Sequence, residues 1–167
     1  MTQRQPSAAQ GAGAAGWASR PFWNALASAA GSGWSGRIEA LGPEGPSGMV
    51  VFHKGRVAWA VCKGQREDLG RYLWRLGKLS PEALKAAQAR YRAEGGQRKL
   101  GAILEQDHQL DRPVLRHCLR LHTRQAVDAL AQLPECTLLS SGDLPRVRDD
   151  ELTFPIEDFL PSESTVC

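Results

Sequence analysis

The chain repeats itself. Leu69, Gly70, Leu73, Leu79 and Leu84 return as Leu100, Gly101, Leu104, Leu110 and Leu115, each 31 residues later. An offset kept at all five positions marks a duplicated supersecondary unit, and one such unit cannot bury its apolar face alone. Spacings of three and four place residues on one helical face, so each copy reads as a short helix, a turn and a longer helix. Ser80 before Pro81 supplies an N-cap followed by a proline in the first helical turn, and Asp111-Arg112-Pro113 is the cruder counterpart. Gly95-Gly96 separates the copies. Two such hairpins should pool their leucines in one core.

Ahead of the repeat the period is two. In residues 56–63, Val57, Trp59 and Val61 alternate with Ala58, Ala60 and Cys62, which predicts a strand with helices pressed on its small-residue side. Residues 49–53 form a compact apolar run, and Lys54-Gly55 reads as a tight hairpin turn. An earlier, imperfect strand carries Trp34, Ile38 and Leu41 and is followed by a Gly/Pro-rich connection. Pro21 suits the first turn of a helix on which Phe22, Leu26 and Ala29 share a face. Beyond Pro134 the chain returns to strand-like residues from Cys136 to Ser140, and Phe154, Ile156, Phe159 and Leu160 are placed to close the core. The expected fold is α+β: a small antiparallel sheet with a tandem helical-hairpin insertion packed on it. Residues 20–161 form one domain with the helical repeat at 67–133. Residues 1–19, mostly Gln, Ala, Gly and Ser, and residues 162–167 are expected to be tails.

A chain of 167 residues suits a single domain, and its 42% hydrophobic content excludes wholesale disorder. Cys62, Cys118, Cys136 and Cys167 show no CxxC spacing, which suits a reducing compartment. No apolar run reaches the ~18–20 residues of a membrane helix, and glycines interrupt the uncharged N-terminal stretch that would otherwise imitate a signal peptide. The expectation is a cytoplasmic protein without membrane insertion.

Catalytic groupings are missing. There is no nucleophile elbow and no phosphate-cradling glycine loop with its lysine, and the run Asp149-Asp150-Glu151 reads as solvated loop. His117 and Cys118 are adjacent and diverge on a helix; Cys118 and His122 could face one way, but two ligands do not make a zinc site. His53 and His108 fall at turns with no visible partner. No catalytic residue, metal site or cofactor is expected.

The formal net charge of +3 conceals a gradient. Residues 54–124 hold 16 basic and 7 acidic residues, whereas 125–167 hold 2 and 9. Arg112, Arg116, Arg120 and Arg124 recur every four positions as a drifting stripe on one helix. The stripe either pairs with the acidic C-terminal part or forms an anion-seeking surface, and its four arginines are the candidate protein-binding residues.

Two resemblances follow. Ser35-Gly36-Arg37-Ile38, Gly48-Met49-Val50-Val51-Phe52, Gly55 and Arg56-Val57-Ala58-Trp59-Ala60 resemble the PATAN-type domain of bacterial response regulators and related signalling proteins. The likeness spans about residues 22–161 and implies a non-catalytic regulatory adaptor acting through protein–protein interaction. The repeat also resembles the N-terminal domain of secretion and pilus assembly ATPases, where tandem Arg-Leu-Gly motifs can bind cyclic di-GMP. The corresponding triplets here are Asp68-Leu69-Gly70 and Lys99-Leu100-Gly101, so neither carries the arginine. That resemblance implies, as the alternative, a cyclic-dinucleotide sensor using Leu69, Gly70, Leu100 and Gly101, with Arg71 and Lys99 near the phosphates. Nucleic-acid binding ranks last, because winged-helix proteins place their hairpin after the recognition helix and this hairpin comes before the helices.

Overall fold

The computed structural model describes residues 20–161 except 66, 97, 108, 134, 135 and 143–151. Both expected tails, His108 and the acidic run 149–151 therefore lie outside the described residues. Helix α1 (Arg20–Gly31) leads into strands β1 (Gly36–Gly42), β2 (Gly45–His53) and β3 (Arg56–Cys62). Four helices follow: α2 (Leu69–Arg75), α3 (Pro81–Ala93), α4 (Leu100–Gln106) and α5 (Arg112–Ala131). Strand β4 (Thr137–Ser141) and a 3-10 turn (Ile156–Asp158) complete the chain. The sheet is antiparallel throughout, in the order β3-β2-β1-β4. The fold is α+β, as expected.

The β2–β3 hairpin turns at Lys54 and Gly55, with φ of 50° and 74°. Positive φ at both central residues is the geometry whose twist matches paired strands. Gly55 also lies against the end of α1: a Cβ there would come within 2.5 Å of the Ala30 carbonyl oxygen. Only glycine fits both demands.

The expected alternation of β3 is interrupted. A bulge shifts the β2–β3 register between Val51 and Phe52, so Phe52 faces Val57 while Val51 faces Trp59. The extra residue, Ala58, reverses the parity. Val57 therefore joins Ala60 and Cys62 on the helix-covered face, and only Trp59 and Val61 remain on the other. Strand β2 also begins earlier than residue 49, because a second register shift, between Ala40 and Leu41, keeps Pro46 and Gly45 paired with β1.

Two apolar cores result. The first lies between the covered face of the sheet, α1, the C-terminal half of α5 and residues 154–159; Phe22, Phe52, Phe154 and Phe159 are fully buried in it. The second belongs to the repeat. Its buried residues pair off at the 31-residue offset: Tyr72 with Ile103, Leu73 with Leu104, Leu79 with Leu110, Leu84 with Leu115, and Ala87 with Cys118. Helices α2 and α4 are both 7 residues long and begin 31 residues apart, as do α3 and α5. The duplication in sequence is a duplication in space.

Helix α5, with 20 residues against 13 in α3, overruns its counterpart. The overrun carries Ala126, Val127 and Leu130 into the sheet core, while Leu115 and Cys118 stay in the repeat core. One helix thus spans both halves. At the junction His122 is 3% exposed, and its Nε2 lies 2.9 Å from the Glu67 carbonyl oxygen. Since a carbonyl only accepts, Nε2 carries the hydrogen. The Gln65 side-chain amide then donates to the His122 carbonyl at 3.3 Å, and the Tyr72 ring meets the imidazole edge-on.

Candidate functional site

The arginine stripe of α5 runs along the C-terminal segment, and its members have different partners. Arg112 donates from Nη1 to both Glu105 carboxylate oxygens at 3.2 and 3.3 Å. Arg116 lies over the Phe154 ring, 4.8 Å from its centroid, and donates from Nη2 to the Thr153 carbonyl at 3.3 Å. Arg120 is 3.9 Å from the Asp158 carboxylate. Arg124 donates to the Asp158 carbonyl at 2.9 Å and to the Asp128 carboxylate at 3.4 Å. Three of the four arginines thus strap residues 153–158 to the long helix. Of the two readings of the stripe, internal pairing is the one with contacts behind it.

The strapped segment closes an edge of the sheet. Phe154 and Val57 exchange backbone hydrogen bonds of 2.9 and 2.8 Å, an isolated bridge along the outer side of β3. Arg56, next to Val57, donates from Nε to the Thr153 hydroxyl at 2.8 Å and from Nη2 to the Thr153 carbonyl at 3.1 Å. At the opposite edge, β4 pairs with β1 alone among the described strands. Its sequence, Thr-Leu-Leu-Ser-Ser, has none of the charges or prolines that usually blunt an exposed edge. Leu138 packs toward the sheet core, and Leu139 points the other way, 48% exposed.

Leu139 begins a row on the sheet face opposite the α1 and α5 side: Leu139, Glu39, Met49 and Val61 are cross-strand neighbours, and Val51 on the same face is buried. Arg37 pairs with Glu39 at 2.7 Å on the same face. This surface is half apolar and carries one ion pair at its centre.

The residues proposed for a cyclic dinucleotide are brought together in part. Leu100 reaches Gly70: a Cβ added at Gly70 would lie 3.2 Å from a Leu100 methyl and 2.6 Å from a Leu84 methyl. Gly101 has the repeat-related contact, 3.1 Å to Leu115. The two Leu-Gly pairs therefore meet, and their glycines admit the leucines of the following helices. Arg71 is exposed, and its backbone N–H is capped by the Asp68 carboxylate at 2.9 Å. The Lys99 ammonium lies over the Trp59 ring at 5.9 Å.

Among the described residues no group of three His, Cys, Asp or Glu side chains is placed to hold a metal. Cys118 is buried in the repeat core and burial raises its thiol pKa, with Lys78 opposing. His117 is exposed on the same helix. The His122–Gln65–Glu67 junction was not foreseen, because its partners lie 55 and 57 residues away in sequence. No helix among the described residues is long and apolar enough to cross a membrane.

A basic cleft lies where the β2–β3 turn meets the start of α5. It encloses about 600 Å3 between His53, Lys54, Arg56, Arg112, Pro113, Arg116 and Thr153. Arg112 and Arg116 were expected from the stripe; Lys54 and Arg56 join them only through the hairpin. Among the described residues, the fold is an α+β module with β4 paired on one side and a cleft lined by basic side chains. No protein-family model, curated protein or solved structure matches the chain.

Proposed function

We propose that the chain is a non-catalytic regulatory adaptor of bacterial signalling, PATAN-like and cytoplasmic, that docks a protein partner by strand addition at β4. The observation that supports this reading is the difference between the two sheet edges. The β3 edge is bridged by Phe154, whereas β4, among the described residues, is paired with β1 alone, carries no charged residue and exposes Leu139. An edge of this kind offers backbone donors and acceptors for affinity and alternate side chains for specificity. The stripe arginines then serve mainly to hold the segment that blocks the wrong edge.

A photo-crosslinker placed at Leu139 in the source cells should capture one discrete partner, and the same crosslinker at exposed Tyr91 in the helical half should not. Leu139→Glu should abolish recovery of that partner. Equal capture at both positions, or recovery unchanged by Leu139→Glu, would remove the reading.

A second reading, the cyclic di-GMP sensor, is favoured by one contact: Leu100 against Gly70 brings both Leu-Gly pairs to a single locus. Calorimetry with cyclic di-GMP tests it. Heat that disappears on Arg71→Gln with Lys99→Gln supports it, and no heat at high micromolar protein ends it.

A further inference from the structure

We propose that the outward side of α2 and the turn after it form a peripheral docking surface for an anionic phospholipid membrane. Trp74 and Leu76 would enter the interface, while Arg71, Arg75 and Lys78 meet the headgroups. The inference rests on neither functional reading above. It shares Arg71 with the Leu-Gly locus, so its test turns on Trp74 and Lys78, which that locus does not use.

The first support is the repeat itself. Helices α2 and α4 are equal in length and their buried residues coincide at the 31-residue offset, so packing makes the same demands on both. Their outward positions differ. Arg71, Trp74, Arg75, Leu76 and Lys78 correspond to Ala102, Glu105, Gln106, Asp107 and Gln109. In the second copy Glu105 and Asp107 are taken up by Arg112 and Arg90. In the first, residues 74–78 are all exposed, and Trp74, at 52%, is the most exposed large apolar side chain among the described residues. The fold therefore gives no reason for a tryptophan at position 74. The second support is the charge around it. From Leu69 to Pro81 there are three basic residues and no acidic one. Spacings of three and four put Arg71, Trp74 and Arg75 on one face. Glu67 and Asp68, before α2, are engaged by Arg75 at 2.8 Å and by the Arg71 N–H at 2.9 Å. Arg75 is also held over the Tyr72 ring, 5.2 Å from its centroid. Among the described residues, no ion pair takes up the side chain of Arg71 or Lys78. The third support is the combination of residue types. An indole settles at headgroup depth with its ring inward, and cations beside it are drawn to anionic lipid. Stacking on a nucleic-acid base would not use Leu76. One tryptophan and one leucine make a small apolar centre against the roughly 800 Å2 that each side of a standard protein interface buries.

Co-sedimentation of the full chain with phospholipid vesicles at low salt tests the proposal. The chain should bind phosphatidylcholine vesicles that contain phosphatidylglycerol, should leave pure phosphatidylcholine vesicles in place, and should release as salt rises. Trp74→Ala should weaken binding by about tenfold, with Trp74→Phe falling between Trp74→Ala and the parent. Lys78→Gln should weaken it by about fivefold. Arg92→Gln removes the same charge from the last turn of α3, away from α2, and should leave binding nearly unchanged. Thermal melts of the same variants separate lost binding from lost fold. No sedimentation with the anionic vesicles would overturn the proposal. So would equal losses for Lys78→Gln and Arg92→Gln, which would mark net charge alone, or parental binding by folded Trp74→Ala. A single-stranded oligonucleotide or a Glu-rich peptide that binds in a Trp74-dependent way where vesicles do not would also overturn it, in favour of nucleic acid or protein.

Discussion

The two cores are built in opposite ways. The repeat core gathers ten buried residues between positions 72 and 118, five from each copy, and its contacts are mostly local or one repeat apart. The sheet core brings Phe22 to Phe159, so nearly the whole described chain must be in place before it closes. Local contacts form cheaply, whereas distant ones must first offset loop-closure entropy. Since α5 contributes to both, neither half is indifferent to the other. The comparison teaches that this molecule is a local helical unit and a non-local sheet unit joined by one long helix.

The sharpest way to break the comparison is at Phe154, which is fully buried and also bridges β3. Phe154→Ala should cost about 3–5 kcal/mol, the range for deleting a buried aromatic. Hydrogen exchange should show the sheet losing protection first, with α2, α3 and α4 retaining theirs. Simultaneous loss in both halves would mean that the cores do not fold as separable units.

Next in size come the repeat-related leucines. Leu73 and Leu104 are both completely buried, so Leu73→Ala and Leu104→Ala should each cost about 2–5 kcal/mol in denaturant unfolding. The glycines sharpen the same symmetry. Gly70→Ala brings its Cβ to 2.6 Å from Leu84, whereas Gly101→Ala meets Leu115 at 3.1 Å. Alanine gains up to about 1 kcal/mol of helix propensity at either site, against an overpacking cost of roughly 1–3 kcal/mol. Gly70→Ala should therefore destabilise, and Gly101→Ala should lie close to neutral.

A smaller effect is expected at the strap. Charge reversal of Arg116 with Arg120 removes the stacking on Phe154, a bond to Thr153 and the ion pair with Asp158. The loss should be about 1–2 kcal/mol, since exposed ion pairs contribute ~0–1 kcal/mol each. It should appear as faster exchange at the Val57 and Phe154 amides. If protein docking were to fail in this variant, the β3 edge would need checking first, because these arginines hold the segment that bridges it.

The smallest effect is the pH response of the repeat half. Glu94 accepts from Arg98 and Arg90, and these hydrogen bonds, Arg98's foremost, hold its carboxyl below the usual carboxylate range. A pKa lowered on folding gives stability that is present above the unfolded value and lost as pH falls through the folded one. An NMR titration should show Glu94 titrating below the usual carboxylate range, and Glu94→Gln should remove that part of the acid sensitivity.

Much of the helical half was legible because its rules are local. Ser80 and Pro81 start α3 as their chemistry demands, with the Ser80 hydroxyl accepting from the Ala83 N–H at 3.1 Å. The five-position repeat became a paired core with two further pairs flanking the leucines. Asp68 caps α2, but the matching Lys99 has no acceptor and α4 begins without a side-chain cap. Along the sheet, period two predicted strands but not the bulge that turns Val57 inward, since a bulge depends on the partner strand's register. The stripe at positions 112, 116, 120 and 124 was readable as geometry. Its partners were not, because Thr153 and Asp158 are 34 to 38 residues from the stripe arginines beside them.

The sequence by itself determined the α+β class, the turn at Lys54-Gly55, the duplicated helical unit and the uneven distribution of charge. Each follows from neighbours within a few residues or from self-similarity at one fixed spacing. Tertiary structure alone decided which sheet edge is closed, which arginines are occupied, and that Lys54 and Arg56 share a cleft with Arg112 and Arg116. Those outcomes depend on where distant segments meet, and that is set by the packing of whole elements.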